Sequence, residues 1–129
     1  MTGPGSPAPA SVIGRIRRIC LDLPEVVEKP FGGHTSPGFR VRDKLFVNIA
    51  EARTSITLKA PRGTQEILVN ADPERFFVPP YVGSKGWVGV QIALKKAPDW
   101  DEMAELICES YCLTAPKRLV AQWEAGRSG

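Results

Sequence analysis

Between Phe39 and Lys59 apolar and basic residues take turns. Phe39, Val41, Leu45, Val47, Ile49, Ile56 and Leu58 alternate with Arg40, Arg42, Lys44, Phe46, Asn48, Thr57 and Lys59. Successive residues of a strand point to opposite sides of a sheet, so this period of two builds one apolar face and one basic, partly aromatic face. The pattern predicts strands over 38–42, 44–50 and 55–60. Arg42-Asp43-Lys44 makes a tight connection that lacks the Gly a primed two-residue turn prefers, and 51–54 forms the second turn. The apolar face has to be covered, and the basic face is where a function would reside.

The cover comes from the two ends of the chain. Ser11 is placed to cap a first helix running to about Leu23, in which Val12, Ile16, Ile19 and Leu23 recur at three- and four-residue steps beside Ile13 and Cys20. Arg15, Arg17, Arg18 and Asp22 take its wet side, and Pro24 ends it. The stretch to Gly38, with Pro30, Gly32, Gly33 and Pro37, reads as turns. A short helix is expected over 64–70 with Ile67, Leu68 and Ala71 as its apolar side. Phe76-Phe77-Val78-Pro79-Pro80-Tyr81 carries too much proline for an inner strand.

Residues 87–95 read as one more strand, with Val88, Val90, Ile92 and Leu94 toward the core and Trp87, Gly89, Gln91 and Ala93 away from it. Asp99 and Glu102 have the spacing of a capping box for a helix that buries Met103, Leu106, Ile107 and Ser110, with Tyr111 and Leu113 near its end. Pro116 can open a last helix with Leu119, Val120 and Trp123 inward. Strands grouped in the middle and helices at both ends make an α+β fold: a single antiparallel sheet with N- and C-terminal helices on one face. The organisation expected is a disordered lead over 1–10, one domain over 11–124 and a flexible tail over 125–129.

With 129 residues and 43% of them hydrophobic, the chain can bury a core without disulfides or metal. Its net charge of +3 permits a polyanionic partner without demanding one. Three cysteines, an odd number with no framework spacing, point to a reduced, cytoplasmic protein. Met1 to Ala10 lacks the apolar core of a signal peptide, and no apolar run approaches the length of a membrane span. A monomer is expected.

The basic face carries the binding expectation. Arg40, Arg42, Lys44, Lys59 and Lys95 would displace counterions from a phosphate backbone, and Phe46 and Trp87 would stack on unpaired bases. In Lys85-Gly86-Trp87 the glycine lets a loop present a cation beside a large ring. The expected partner is therefore DNA or another nucleic acid, bound with little sequence preference. A protein- or small-ligand-binding module using the same aromatics is the alternative.

Other chemistry is not legible. Cys108 and Cys112, with Cys20 and the lone His34, make four potential zinc ligands, but no tight Cys-x-x-Cys pair exists and reduced cysteines often pack as small apolar residues. Neither metal nor cofactor is expected. Ser84, Ser110 and Tyr111 lack a readable carboxylate–histidine partner, Glu102, Glu105 and Glu109 read as a solvated helix face, and Gly83-Ser84-Lys85-Gly86 is too short for a P-loop. The expectation is a protein that is not an enzyme.

The chain resembles the YjbR-like (MmcQ/YjbR) family of small bacterial proteins. The resemblance runs from the first helix to about Trp123. It rests on Leu23-Pro24-Glu25-Val26, on Phe39-Arg40-Val41 followed by Lys44-Leu45-Phe46, and on Ile56-Thr57-Leu58-Lys59. Gly83-Ser84-Lys85-Gly86-Trp87-Val88, Ser110-Tyr111 and Ala115-Pro116-Lys117-Arg118-Leu119 continue it. It implies a CyaY-like (frataxin-like) topology and DNA binding attributed to a double-wing arrangement of strands, with Lys44, Lys59, Lys85 and Trp87 at the most recognisable positions. At the approach to the first strand, where family members often show a Trp or aromatic-Gly pattern, this chain departs and reads Phe31-Gly32-Gly33-His34. The frataxin likeness also raises iron, but Arg15, Arg17 and Arg18 on the first helix would repel a cation.

Overall fold

Two cross-strand rows of apolar side chains organise the molecule, whose computed structural model describes residues 7–30 and 37–128. Among these residues six strands form one antiparallel sheet: β1 (Val26–Pro30), β2 (Pro37–Val41), β3 (Lys44–Ile49), β4 (Ser55–Leu58), β5 (Phe76–Phe77) and β6 (Val88–Gln91). Their spatial order is β1-β2-β3-β4-β6-β5. Pairing aligns Phe39, Val47, Leu58 and Val88 in one row, and Ile49, Ile56, Val90 and Phe76 in the next. All eight are buried, so this is the inner face. Fully burying a side chain of this size contributes about 1.5–3 kcal/mol, which makes the rows the main source of stability.

Helices α1 (Ala10–Leu21) and α3 (Trp100–Thr114) cover that face with Ile13, Ile16 and Cys20 from one and Met103, Leu106, Ile107 and Tyr111 from the other. α2 (Thr64–Ala71) lies beside β5, and α4 (Lys117–Ser128) rests on α3 through Leu119 and Trp123. Two hydroxyls tie α3 down: Ser110 Oγ donates to the Phe46 carbonyl at 2.7 Å and Tyr111 Oη to the Pro24 carbonyl at 2.9 Å. Asp99 caps α3, its Oδ1 accepting from the amides of Asp101 and Glu102, which is the Asp99 half of the expected capping box. The α+β architecture read from the sequence is the one observed.

Several local expectations change. α1 begins at Ala10, so Ser11 lies inside the first turn and the carbonyl of Pro9 accepts from Val12 and Ile13. Part of the expected N-terminal lead is ordered structure: Ala8 is buried and its amide donates to Arg53 O at 2.7 Å. At the other end α4 runs through 125–128, assigned above to a tail. β1 was read as turn because it is an exposed edge strand between prolines, with Val26 its only half-buried residue. In α2 the inward residue is Gln65, with Leu68 and Val69 half-buried, while Ile67 and Ala71 face water. β6 closes at Gln91, which leaves Lys95 in a bend beyond it.

The largest correction concerns Phe46, which is fully buried. Phe39 pairs with Val47 but Arg40 pairs with Leu45, so β3 carries one extra residue, a β-bulge at Phe46. The bulge shifts the phase of the alternation. Phe46 and Val47 both enter the core, and Leu45 moves to the outer face opposite Arg40. The Phe46 ring then meets Tyr111 edge-on, with centroids 5.8 Å apart.

Candidate functional site

The outer face is built by the same pairings. One row runs Lys29, Gly38, Asn48, Thr57, Gly89, Phe77. Its centre is low because the residues are small. At Gly89 a Cβ would come within 2.3 Å of the Phe77 ring, so that ring lies directly over the glycine. The neighbouring row runs Val27, Arg40, Leu45. Lys59 extends it, its amide donating to Phe46 O at 3.1 Å. Trp87 stands just before β6, and because Leu58 pairs with Val88, Trp87 and Lys59 flank that pair at the same end of β4 and β6. Arg40, Lys59 and Trp87 are all half-buried, and neither row contains a carboxylate of its own, although Lys29 pairs with Asp43 of the β2–β3 turn at 3.6 Å.

A loop frames the Trp87 end. After Phe77 the chain passes Val78-Pro79-Pro80 and turns sharply at Tyr81, whose φ of 66° and ψ of −62° make a γ-turn closed by Val82 N to Pro80 O at 2.7 Å. This positive-φ form is rare and strained for a side chain with a Cβ. It holds the Tyr81 ring out in water, 95% exposed. A short 3-10 helix (Val82–Lys85) follows and ends at Gly86, whose φ of 90° a residue with a side chain would resist. Lys85 is exposed on it. Gln65 of α2 fixes this loop from below: its Nε2 donates to Gly83 O at 2.8 Å and to Trp87 O at 2.7 Å.

The remaining residues expected on the basic face are placed differently. Arg42 sits in the β2–β3 turn and forms a two-pronged pair with Glu25, at 2.6 and 3.2 Å. Those hydrogen bonds raise the guanidinium pKa and lower that of the carboxyl, so the Arg42 charge is already matched. Lys44 opens β3 and is exposed, but it pairs with the buried Val41, so the bulge that turns Leu45 outward takes Lys44 off the row of Arg40. Arg40 keeps its place, with Nη1 donating to Asp43 O at 3.1 Å. Lys95 is exposed but belongs to the bend after β6, not to the strand rows. Phe46 leaves the site altogether. Tyr81 and Gln65 were missed: the first had only a Pro-Pro-aromatic string as its signal, the second a polar residue at an inward helical position.

The hydroxyls weighed as nucleophiles are engaged in structure, Ser110 and Tyr111 as described and Ser84 with Tyr81 O at 3.2 Å. Cys20 is buried, and burial pushes the thiol pKa of all three cysteines up. His34 and the Phe31-Gly32-Gly33 string lie outside the described residues. Among the described residues no three metal-ligating side chains converge. No helix among them is long and apolar enough to cross a membrane. On α1, Arg15 lies over the Trp100 ring at 4.5 Å and Arg17 pairs with Glu28 at 2.9 Å.

Comparison with known proteins agrees with this architecture. No curated protein matches the chain. The crystal structure of the Deinococcus radiodurans protein DR2400, which carries a DUF419 domain, superposes with a TM-score of 0.70. It covers 88% of this chain and 81% of its own at 19% identity, a likeness of fold. The YjbR family model matches residues 21–113, from the end of α1 through nearly all of α3. That span includes the whole sheet, both outer rows and the Trp87 loop, and the chain belongs to the YjbR family.

Proposed function

We propose that this protein binds nucleic acid, single strands above all, on the outer face of its sheet. The observation that carries the reading is that Arg40 stands in an outer row without a carboxylate of its own, while Lys59 and Trp87 flank the Leu58–Val88 pair where β4 and β6 end together. Cations there would displace the counterions of a backbone, and the indole would stack on a base. Lys85, exposed on the 3-10 helix before Trp87, adds a further cation. Tyr81 adds a second ring, held in solvent by a strained turn. Contacts would be mainly to phosphate, hence with little sequence preference.

The reading requires no catalytic group and no cofactor, and it carries a cytoplasmic location with it, in keeping with three unpaired cysteines. It is tested by titrating labelled single- and double-stranded DNA of equal length at about 50 and 200 mM salt. Single strands should bind more tightly than duplex, and both should weaken steeply with salt. Affinity weaker than about millimolar at the lower salt would end the reading.

A further inference from the structure

Opposite the basic face the helices leave a groove of about 1140 Å³ between α2, α3 and α4. Its apolar lining includes Leu68, Leu106, Cys108, Cys112 and Trp123. Two further apolar residues border it in open water: Ile67, 69% exposed, and Leu113, 46% exposed. Apolar surface of this extent beside an open groove marks an interaction site more often than a resting surface. The charges are as one-sided as on the other face, with the sign reversed. Asp101, Glu102, Glu105 and Glu109 line the groove with Arg127 as the one cation among its lining residues, in a chain whose net charge is +3.

We propose that this groove docks a cationic amphipathic helix from a partner protein. The apolar stripe of such a helix would lie on Ile67, Leu68 and Leu113, beside the Trp123 ring that Arg127 covers at 4.6 Å, and its Lys or Arg residues would meet Asp101, Glu105 and Glu109. From Asp101 to Leu113 the lining spans about 18 Å of helix, room for roughly twelve residues of a helical ligand. The four carboxylates repel a nucleic acid. The chain's own cationic helix does not fit the role: α1 has its apolar stripe, Ile13, Ile16 and Cys20, already buried, and spends Arg15 on Trp100 and Arg17 on Glu28. The occupant therefore comes from another protein.

The test uses the full chain and two labelled synthetic helices of equal length. One has a leucine stripe flanked by lysines, the other the same stripe flanked by glutamates. The lysine peptide should bind at about micromolar Kd, at least roughly tenfold more tightly than the glutamate peptide. Ile67→Ser and the double variant Glu105→Gln/Glu109→Gln should each weaken it by about tenfold. Trp87→Ala, on the opposite face, should leave it unchanged. Melting curves of the variants confirm that these exposed positions leave the fold intact. Equal binding of both peptides, indifference to the groove substitutions, or no binding at millimolar peptide would overturn the proposal. So would light scattering that shows self-association abolished by Ile67→Ser, since the occupant would then be a second copy.

Discussion

Phe46 shows how much one side chain's direction depends on a single extra residue in a strand. In strict alternation it belongs beside Lys44 on the wet face; the bulge sends it against Tyr111, under a carbonyl held by Ser110. Phe46→Ala should therefore cost about 3–5 kcal/mol in denaturant unfolding, a core cavity value, where an exposed ring would cost little. Gln65 has a comparable place under the Trp87 loop. Gln65→Ala strands two inward carbonyls, Gly83 O and Trp87 O, and should cost about 1–3 kcal/mol. An unchanged midpoint would mean that water replaces the amide freely. Neither residue was legible beforehand. A bulge leaves no mark in a hydrophobic pattern, and a buried glutamine is read as surface until its acceptors are known.

At the scale of elements, the strands that place a row of large apolar side chains against the helices were legible and the edge strands were not. β2, β3, β4 and β6 each bury one face against helices, which writes a period of two into their sequence. β1 is open to water on most of its length and β5 has two residues, so neither needs such a pattern. α2 was misread for a related reason: it packs at a sheet edge, and a polar clamp occupies its inward position. The β2–β3 turn holds a second lesson. Arg42 and Asp43 have φ of 51° and 66°, both left-handed, as a two-residue primed turn requires and as glycine would tolerate better. Asp43→Gly should stabilise the protein by about 0.5–1 kcal/mol, since the Lys29–Asp43 pair it removes is exposed and worth little. The corresponding rise in Tm is about 2–4 °C, and a fall would show that the Asp43 side chain contributes more than its strain costs.

For the whole molecule, the outer sheet face carries Arg40 in a row without a carboxylate, whereas the groove between α2, α3 and α4 is lined by carboxylates and apolar residues. Part of the positive charge is internally matched, and that matching depends on pH. The Arg42 hydrogen bonds hold the Glu25 carboxyl below its ordinary value, so its contribution to stability is fully present above the unfolded pKa of about 4.3 and is lost as pH falls through the lower folded value. The difference in Tm between the protein and its Glu25→Gln variant should accordingly be present at neutral pH and vanish in acid, once the pH has fallen below the lowered folded value. A difference that persists in acid would mean that Glu25 acts through something other than its charge. The acidic face of α3 was legible as a run of carboxylates along one helix, but the Glu25–Arg42 pair was not, because the pairing of β1 with β2 brings those two residues together.

The outer-face reading is tested most directly by the slope of log affinity against log salt for single-stranded DNA, measured for the protein and three variants. Lys59→Ala should reduce that slope by about one, the loss of one phosphate contact. Arg42→Ala should leave it nearly unchanged, because that guanidinium is already paired with Glu25. Trp87→Ala should weaken binding by about 1–3 kcal/mol at every salt concentration without altering the slope, since stacking releases no cations. A slope that is the same for the protein and for Lys59→Ala would contradict the account, whatever the affinity.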